Sequence, residues 1–185
     1  MVLRFKDLLG LKKIGAEFGT GTSDNTDGVG VNVIRLLKNK PLTSTTFPYL
    51  VASGDYHDLA SKDVDLVEIT DIDQHFYEIL NHAHSKRLGL EIAISKLRAT
   101  DDQKLARNVS LIKSIHSFSE KHGNQLVLTS GASSVFEMVS GRCFDALLNL
   151  CDIKPETYWI SLNKWLEYKI SMRCYASDTK EKIQT

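Results

Sequence analysis

Short apolar runs alternate with amphipathic segments over most of this chain, and this alternation constrains the fold more than any other feature of the sequence. The runs have the length and composition of strands buried on both faces of a sheet. They occupy residues 47–52, 65–69, 90–94 and 125–129. Because helical segments separate them, the strands are expected to pair in parallel through right-handed crossovers. The pattern predicts an α/β protein with a parallel sheet and surrounding helices.

The helix after the second run has recognisable ends. Thr70 and Asp73 have the spacing of a capping box, in which a hydroxyl is followed three residues later by a carboxylate. From there the helix is predicted to run to about Arg87 and to stop at Gly89.

The helix after the third run has a distinct apolar face. Thr100 and Gln103 repeat the capping spacing, and Gly123 is expected to end the helix. Its apolar residues share one half of the circumference: Leu105, Val109, Leu111, Ile112, Ile115 and Phe118. The other half carries Arg107, Lys113 and Lys121. This pattern predicts a helix that covers a sheet and turns a basic face outward.

The size of the chain limits how this alternation is built. Its 185 residues suit a single domain. They fall short of the ~250 residues of a typical eight-fold barrel, so an open doubly wound sheet and a compact or incomplete barrel both fit. We expect one domain over residues 1–176 and a polar C-terminal tail over 177–185. Residues 15–30 carry five glycines and predict a long turn or loop.

The C-terminal part of the chain is predicted to be helical. Pro155 suits the first turn of a helix, and a second helical stretch is expected at residues 162–172. Cys143 and Cys151 are eight residues apart and are expected to pack in the core from one helix face. The chain has three cysteines and no CxxC pair, which favours free thiols in a reducing cytosol. No apolar run is long enough for a bilayer, so we expect a cytoplasmic protein with no membrane contact.

Basic and acidic residues are balanced in this chain, with 23 of each. Proteins that bind nucleic acids alone are usually basic, because neutralised phosphates dominate their affinity. The balance therefore counts against RNA binding by the whole surface, although a local basic patch is sufficient. Residues 86–142 are locally more basic than the rest of the chain.

Small polar residues follow the last predicted strand. Ser130, Gly131 and Ala132 come directly after the run at 125–129. Parallel sheets, open or closed, place their ligands at the carboxyl ends of their strands. The segment is therefore a candidate site or a plain tight turn.

Residues 126–142 resemble the signature of archaeal-type ribonuclease P protein component 3. In that family a hydrophobic strand runs into Ser-Gly-Ala, and an aromatic-Glu-Leu/Met, a serine and an arginine follow. The corresponding residues here are Ser130-Gly131-Ala132, Phe136-Glu137-Met138, Ser140 and Arg142. Segments 92–98, 155–156 and 161–163 follow in the family's order, and the helix around Arg107 does as well.

The resemblance covers residues 47–172 and does not extend to the first 45. Val135-Phe136 stand where the family often has proline-tryptophan, and Val139 stands where a basic residue is expected. Both differences lie within the signature, so they bear on any RNA contact assigned to this loop.

The resemblance implies a compact barrel-like fold similar to TIM barrels and a role in removing 5′ leaders from precursor tRNA. It implies a catalytic RNA that holds the magnesium, a small partner protein in a heterotetramer, and no cofactor on this chain. Precursor tRNA would then be contacted indirectly. Under this hypothesis, cations on the helix faces neutralise RNA phosphates. The residues expected to do so are Arg98, Arg107, Lys113 and Arg142, with Lys96 and Lys121 behind them.

Two other functions stay open on the sequence. A metal-dependent phosphoesterase on the same barrel type would need histidines and carboxylates at several strand ends. His57, Asp71 and Asp73 are the candidates for that chemistry, whereas His82 and His84 point apart on a predicted helix. The balanced charge also allows a structural subunit that makes no RNA contact.

Overall fold

A parallel sheet with helices packed against it forms the centre of the protein in a computed structural model. The structure describes residues 5–8, 20–22, 32–35, 49–54, 64–72, 76 and 87–181. The strands are β1 (Phe5–Asp7), β2 (Thr20–Thr22), β3 (Asn32–Arg35), β4 (Tyr49–Ser53), β5 (Leu66–Glu68), β6 (Gly89–Ala93) and β7 (Gln125–Thr129). The long helices are α1 (Asp102–His122), α2 (Gly141–Leu150) and α3 (Pro155–Glu181). Short 3₁₀ turns span Ile94–Leu97 and Val135–Glu137.

Five strands pair side by side in the order β3-β4-β5-β6-β7, and every pair is parallel. β1 and β2 form a separate parallel pair. The predicted α/β class and parallel pairing are therefore confirmed. The predicted run at 125–129 coincides with β7, and the other three runs differ from β4, β5 and β6 by one or two residues at each end.

Two strand-related expectations were wrong. The glycine-rich segment 15–30 is not all turn, because β2 lies within it and pairs with β1. Gly89 is the first residue of β6 and not a helix stop. A side chain at Gly89 would meet the Trp165 ring at 2.9 Å, so the close packing of α3 on the sheet accounts for this glycine. The helix predicted from Thr70 to Arg87 lies, apart from a few residues, outside the described part of the chain.

Aliphatic side chains of the sheet fill the core and pack against α1 and α3. Fully buried members include Leu50, Leu66, Leu90, Ile92, Leu126, Leu128, Ile112 and Ile115. Helix α1 contacts β6 and β7, and α3 contacts β4 and β7. Each fully buried aliphatic side chain of this size contributes about 1.5–3 kcal/mol through removal of its surface from water.

Helix α1 confirms the predicted end and corrects the predicted start. Gly123 ends the helix with a left-handed φ of 68°, a conformation that favours glycine. The N-cap is Asp101, whose carboxylate accepts a 2.7 Å hydrogen bond from the Lys104 N–H, and not Thr100. Leu105, expected on the covered face, is 42% exposed, and all residues from 101 to 107 are exposed as well.

The C-terminal region contains one long helix where two stretches were predicted. Helix α3 begins at Pro155, as expected, but continues to Glu181 and so includes the first residues of the predicted tail. Cys151 is buried, and burial raises the pKa of its thiol. Cys143 is exposed in the first turn of α2, so its expected core position was wrong.

The free side of β7 is covered by polar groups from elsewhere in the chain. The Leu128 N–H donates to the Tyr158 hydroxyl at 2.8 Å, and the Ser130 N–H donates to Asp7 Oδ1 at 2.9 Å. Tyr158 is buried, and burial raises the pKa of its hydroxyl. These hydrogen bonds occupy backbone N–H groups at a strand edge that could otherwise pair with another strand. The bond from Ser130 to Asp7 also places the end of β1 beside the end of β7.

None of the helices in the described part of the chain is both long enough and apolar enough to cross a membrane.

Candidate functional site

The Ser130-Gly131-Ala132 segment forms a tethered loop at the carboxyl edge of the sheet. Ser130 is fully buried, and its backbone is held from both sides. Its N–H donates to the Asp7 carboxylate, and its carbonyl accepts a 3.0 Å hydrogen bond from the Ser95 N–H. The Ser130 hydroxyl accepts a 3.3 Å hydrogen bond from the Ala132 N–H. The loop is therefore a fixed element of the fold.

Gly131 is required at its position by both conformation and space. Its φ is 58°, which lies in the left-handed region that side chains disfavour. A β-carbon there would lie 2.7 Å from Ala93 Cβ and 3.0 Å from Ser95 Oγ. The Ser95 hydroxyl also donates to the Gly131 carbonyl at 3.2 Å. Because the loop approaches the end of β6 so closely, the middle position of the Ser-Gly-Ala motif has no room for a side chain.

A serine and a glutamate close the turn that follows the loop. Glu137 Oε2 accepts hydrogen bonds from the Ser133 N–H at 2.7 Å and from the Ser133 hydroxyl at 2.6 Å. These bonds lower the pKa of Glu137, and the nearby positive charge of Arg98 acts in the same direction. The glutamate of the motif therefore has a structural role in holding the 3₁₀ turn.

We expect this turn to loosen when Glu137 is protonated. Its folded pKa lies below 4.5, so the stabilisation is present above that pH and is lost as the pH falls through the lowered folded value. In an NMR titration the Ser133 amide should shift with a midpoint below 4.5. A peptide of residues 131–139 is the unfolded reference and should titrate at a higher pH. Equal midpoints in peptide and protein would contradict the assigned hydrogen bonds.

The 3₁₀ turn presents an aromatic side chain to solvent. Phe136 is 91% exposed, and its neighbour Val135 is 43% exposed. Scattered exposed apolar residues are common, but an aromatic ring this open beside a fixed loop provides a surface for stacking or docking. In the sequence, Phe136 is the aromatic residue of the family motif and part of the Val135-Phe136 departure from it, and it was not among the predicted contact residues. Its position in a short polar turn was the signal that could have identified it.

Helix α2 begins next to this turn. Its N-cap is Ser140, whose hydroxyl accepts a 3.4 Å hydrogen bond from the Cys143 N–H. Arg142 lies in the first turn of α2 and is exposed. We call the exposed residues that follow β6 and β7 the edge surface: Lys96, Arg98, Phe136 and Arg142, with the Gly131-Ala132 loop.

The six predicted RNA-contacting cations divide between two regions of the molecule. Lys96 and Arg98 follow β6, so they lie at the carboxyl edge with Arg142. Arg107 is exposed in the first half of α1, the half nearer that edge. Lys121 is 14 residues further along the helix, about 21 Å at 1.5 Å per residue, and lies near the amino edge.

Two of these cations already have carboxylate partners. Lys96 forms a salt bridge with Glu68, and Lys113 Nζ lies 2.5 Å from Asp152 Oδ2. The hydrogen bond with Asp152 raises the pKa of Lys113. A paired ammonium offers less net charge to a phosphate than an unpaired one. Arg98, Arg107 and Arg142 are therefore the better placed candidates.

Two buried carboxylates lie side by side within the sheet. Glu68 and Glu91 are register partners on neighbouring strands, and Glu91 Oε1 accepts a 2.9 Å hydrogen bond from the Thr129 hydroxyl. Within the described residues, no group of three histidine, cysteine or acidic side chains is arranged to hold a metal.

Of the phosphoesterase candidates, the structure describes Asp71, so their grouping stays a prediction. Asp71 is exposed, and its carboxylate accepts a hydrogen bond from the Ile72 N–H. His57, Asp73, His82 and His84 lie outside the described residues.

Comparisons with known proteins do not assign this chain to a family. No protein-family model matches it, and no curated protein matches it.

Proposed function

We propose that this chain is a protein subunit of ribonuclease P, of the component 3 type, that supports the removal of 5′ leaders from precursor tRNA. One observation carries the proposal. The segment 126–142, which resembles the signature of that subunit, combines a hydrogen-bonded loop with the exposed Phe136 and Arg142, and the positive charge of Arg98 acts on Glu137 of the same segment. Basic side chains around an accessible ring have the chemistry of a surface that contacts RNA.

In this proposal the edge surface acts by electrostatics and stacking. Arg98 and Arg142 neutralise RNA phosphates and release counterions, and Arg107 extends the contact along α1. Phe136 offers its face to an unpaired base, an interaction worth about 1–3 kcal/mol per base. The chemistry is carried by the RNA and its magnesium ions. The protein stabilises the active RNA fold and lowers the magnesium concentration that the RNA requires.

We also propose the finer architecture that this family implies. The strands would belong to a compact TIM-barrel-like fold, in which β1 lies next to β7. The hydrogen bond from the Ser130 N–H to the Asp7 carboxylate supports that arrangement, because it joins the carboxyl ends of the two strands. The proposed partner is the small ribonuclease P protein that completes a heterotetramer.

The decisive experiment is precursor-tRNA cleavage by the cognate RNA at limiting magnesium. The RNA is assayed alone, with this chain, with the small partner protein, and with both proteins. Stimulation that requires both proteins is the expected result. No stimulation by any combination would remove the proposal. Stoichiometric metal and phosphoester turnover by the isolated chain would instead support the metal-dependent phosphoesterase.

Replacing both edge arginines tests which surface binds the RNA. We expect Arg98→Ala with Arg142→Ala to weaken RNA binding and to flatten its salt dependence. The slope of log affinity against log salt should fall by about 0.7–0.9 for each phosphate that the variant no longer neutralises. Lys121→Ala is the control for position, because that lysine is exposed near the opposite edge, and the change in slope is compared for each charge removed. An equal decrease of the slope in the control would place the RNA elsewhere on the protein.

A further inference from the structure

A cavity of about 550 Å³ opens at the amino edge of the sheet, on the side opposite the edge surface. The end of α1, the start of β7 and the first half of α3 form its walls. Its volume lies within the range of about 300–1,000 Å³ that is usual for small-molecule sites. The proposed ribonuclease P function makes no use of it.

Three cations from separate segments line this cavity. Arg87 precedes β6, Lys154 precedes α3, and Lys164 lies on α3. Among the described residues none of the three has a carboxylate partner. The two acidic residues of the wall already face other groups, since Asp152 binds Lys113 and Glu120 Oε2 lies 3.8 Å from His116 Nδ1. The cavity therefore has an excess of positive charge that suits an anion.

Two aromatic side chains, Tyr168 and Trp165, contact Arg87. The Arg87 guanidinium carbon lies 4.7 Å from the centre of the Tyr168 ring. The Trp165 indole N–H donates to the Arg87 carbonyl at 2.8 Å. Arginine planes and aromatic rings are the surfaces on which unpaired bases stack. The arrangement combines a positive charge with a flat surface in the same wall.

The backbone of the wall turns sharply at two residues. Arg87 and Asp152 have φ values of 47° and 57°, and they are the non-glycine residues of the described chain with positive φ. Both line this cavity. At Asp152 this conformation ends helix α2, where the Ile153 N–H donates to the Leu148 carbonyl at 2.9 Å and the Asp152 N–H donates to the Asn149 carbonyl at 3.0 Å. The turn at Asp152 therefore belongs to the helix end and does not by itself indicate a ligand.

Hydrogen-bonding groups lie between the cations. Asn124 Oδ1 accepts a 3.0 Å hydrogen bond from the Leu88 N–H, which fixes the orientation of the amide. Ser161 donates to Gln125 Oε1 at 2.7 Å, and Gln125 is 6% exposed. Ser119 is 3% exposed and lines the wall, and its hydroxyl has no hydrogen-bond partner among the residues described. Buried polar groups of this kind give a cavity its selectivity.

We propose that this cavity binds a nucleoside phosphate. The phosphate would lie between Lys154, Lys164 and Arg87, and the base would pack on the Arg87–Tyr168 wall, with the Asn124 amide at its edge. The ligand is either a free nucleotide or one unpaired nucleotide of an RNA strand, because both present the same phosphate and base. The inference does not depend on the ribonuclease P proposal, since the two sites lie at opposite edges of the sheet.

The test is nucleotide binding to the 185-residue chain, measured by calorimetry and by NMR amide shifts. The probes are AMP, CMP, adenosine, inorganic phosphate and a five-nucleotide oligoadenylate. We expect AMP to bind more tightly than adenosine or phosphate, because both halves of the ligand are recognised. Tighter binding of the oligoadenylate than of AMP identifies an RNA strand as the ligand. Binding of AMP without binding of the oligoadenylate identifies a free nucleotide as the ligand.

Two variants locate the binding. Lys154→Ala and Lys164→Ala remove exposed side chains, and each should weaken AMP binding about tenfold, as expected for loss of one charge-assisted hydrogen bond. Lys104→Ala, which removes an exposed lysine in the first turn of α1 and outside the cavity, should bind AMP normally. The proposal is overturned if no nucleotide shifts amides around the cavity. It is also overturned if phosphate binds as tightly as AMP, or if the two cavity variants bind AMP like the control.

Discussion

A Lys169→Ala variant should lose about 3–5 kcal/mol of its free energy of unfolding, because it removes the ammonium partner of a buried carboxylate. Lys169 Nζ lies 3.3 Å from Asp65 Oδ1, and the two side chains are 8% and 5% exposed. Asp65 Oδ2 also accepts a 2.9 Å hydrogen bond from the Val51 N–H. The Asp65 carboxylate, which lies just before β5, thus links strand β4 to helix α3.

Urea unfolding followed by circular dichroism measures this loss. Lys164→Ala is the matched control, since it removes an exposed lysine from the same helix and should change stability by less than about 0.5 kcal/mol. Adding Asp65→Asn to Lys169→Ala should recover part of the loss, because the buried charge is then removed as well. Equal stabilities of the Lys169→Ala and Lys164→Ala variants would show that the ion pair does not hold α3 on the sheet.

The second large effect is expected at Gly131. A Gly131→Ala variant adopts a left-handed φ that costs an L-residue about 1–2 kcal/mol. Its β-carbon must also displace Ala93 Cβ, which lies 2.7 Å away and belongs to a strand. Overpacking of this kind adds about 1–3 kcal/mol. The variant should therefore be destabilised by about 2–5 kcal/mol, and the carboxyl edge of β6 and β7 should be disturbed.

Gly123 offers a control that separates the two causes. Its φ is 68°, close to that of Gly131, but a β-carbon there would meet nothing within 4 Å. Gly123→Ala therefore reports the conformational cost alone, about 1–2 kcal/mol. The difference between the two variants in urea unfolding measures the steric conflict with β6. Equal losses would mean that the loop moves away from Ala93 without resistance.

Much of the fold could be predicted because its signals are local. Strand β7 was predicted to the residue, since an apolar run of strand length is bounded by Gly123-Asn124 and by Ser130-Gly131. The end of α1 followed from Gly123, and parallel pairing followed from the alternation of runs and helices. The site loop was recognised because a strand that ends in small polar residues at a carboxyl edge is a local pattern.

The errors arose where two neighbouring residues both suit a helix cap, and where the burial of a side chain depends on segments that are distant in the sequence. Thr100 and Asp101 both suit an N-cap, and the choice depends on backbone geometry that the pattern does not specify. Leu105 and Cys143 have the right periodicity for burial, but they are exposed in the folded chain. Periodicity identifies which residues share a helix face, and it does not show how far the neighbouring layer extends.

The local elements of this protein follow from its sequence alone, because apolar period, caps and turn residues act over a few positions. Which charges are available for binding is settled only when the chain folds. Lys113 and Asp152 are 39 positions apart, and folding brings them into one pair. The same holds for the amino-edge cavity, whose cations come from before β6, before α3 and within α3. Sites of this kind depend on long-range packing, which no local pattern encodes.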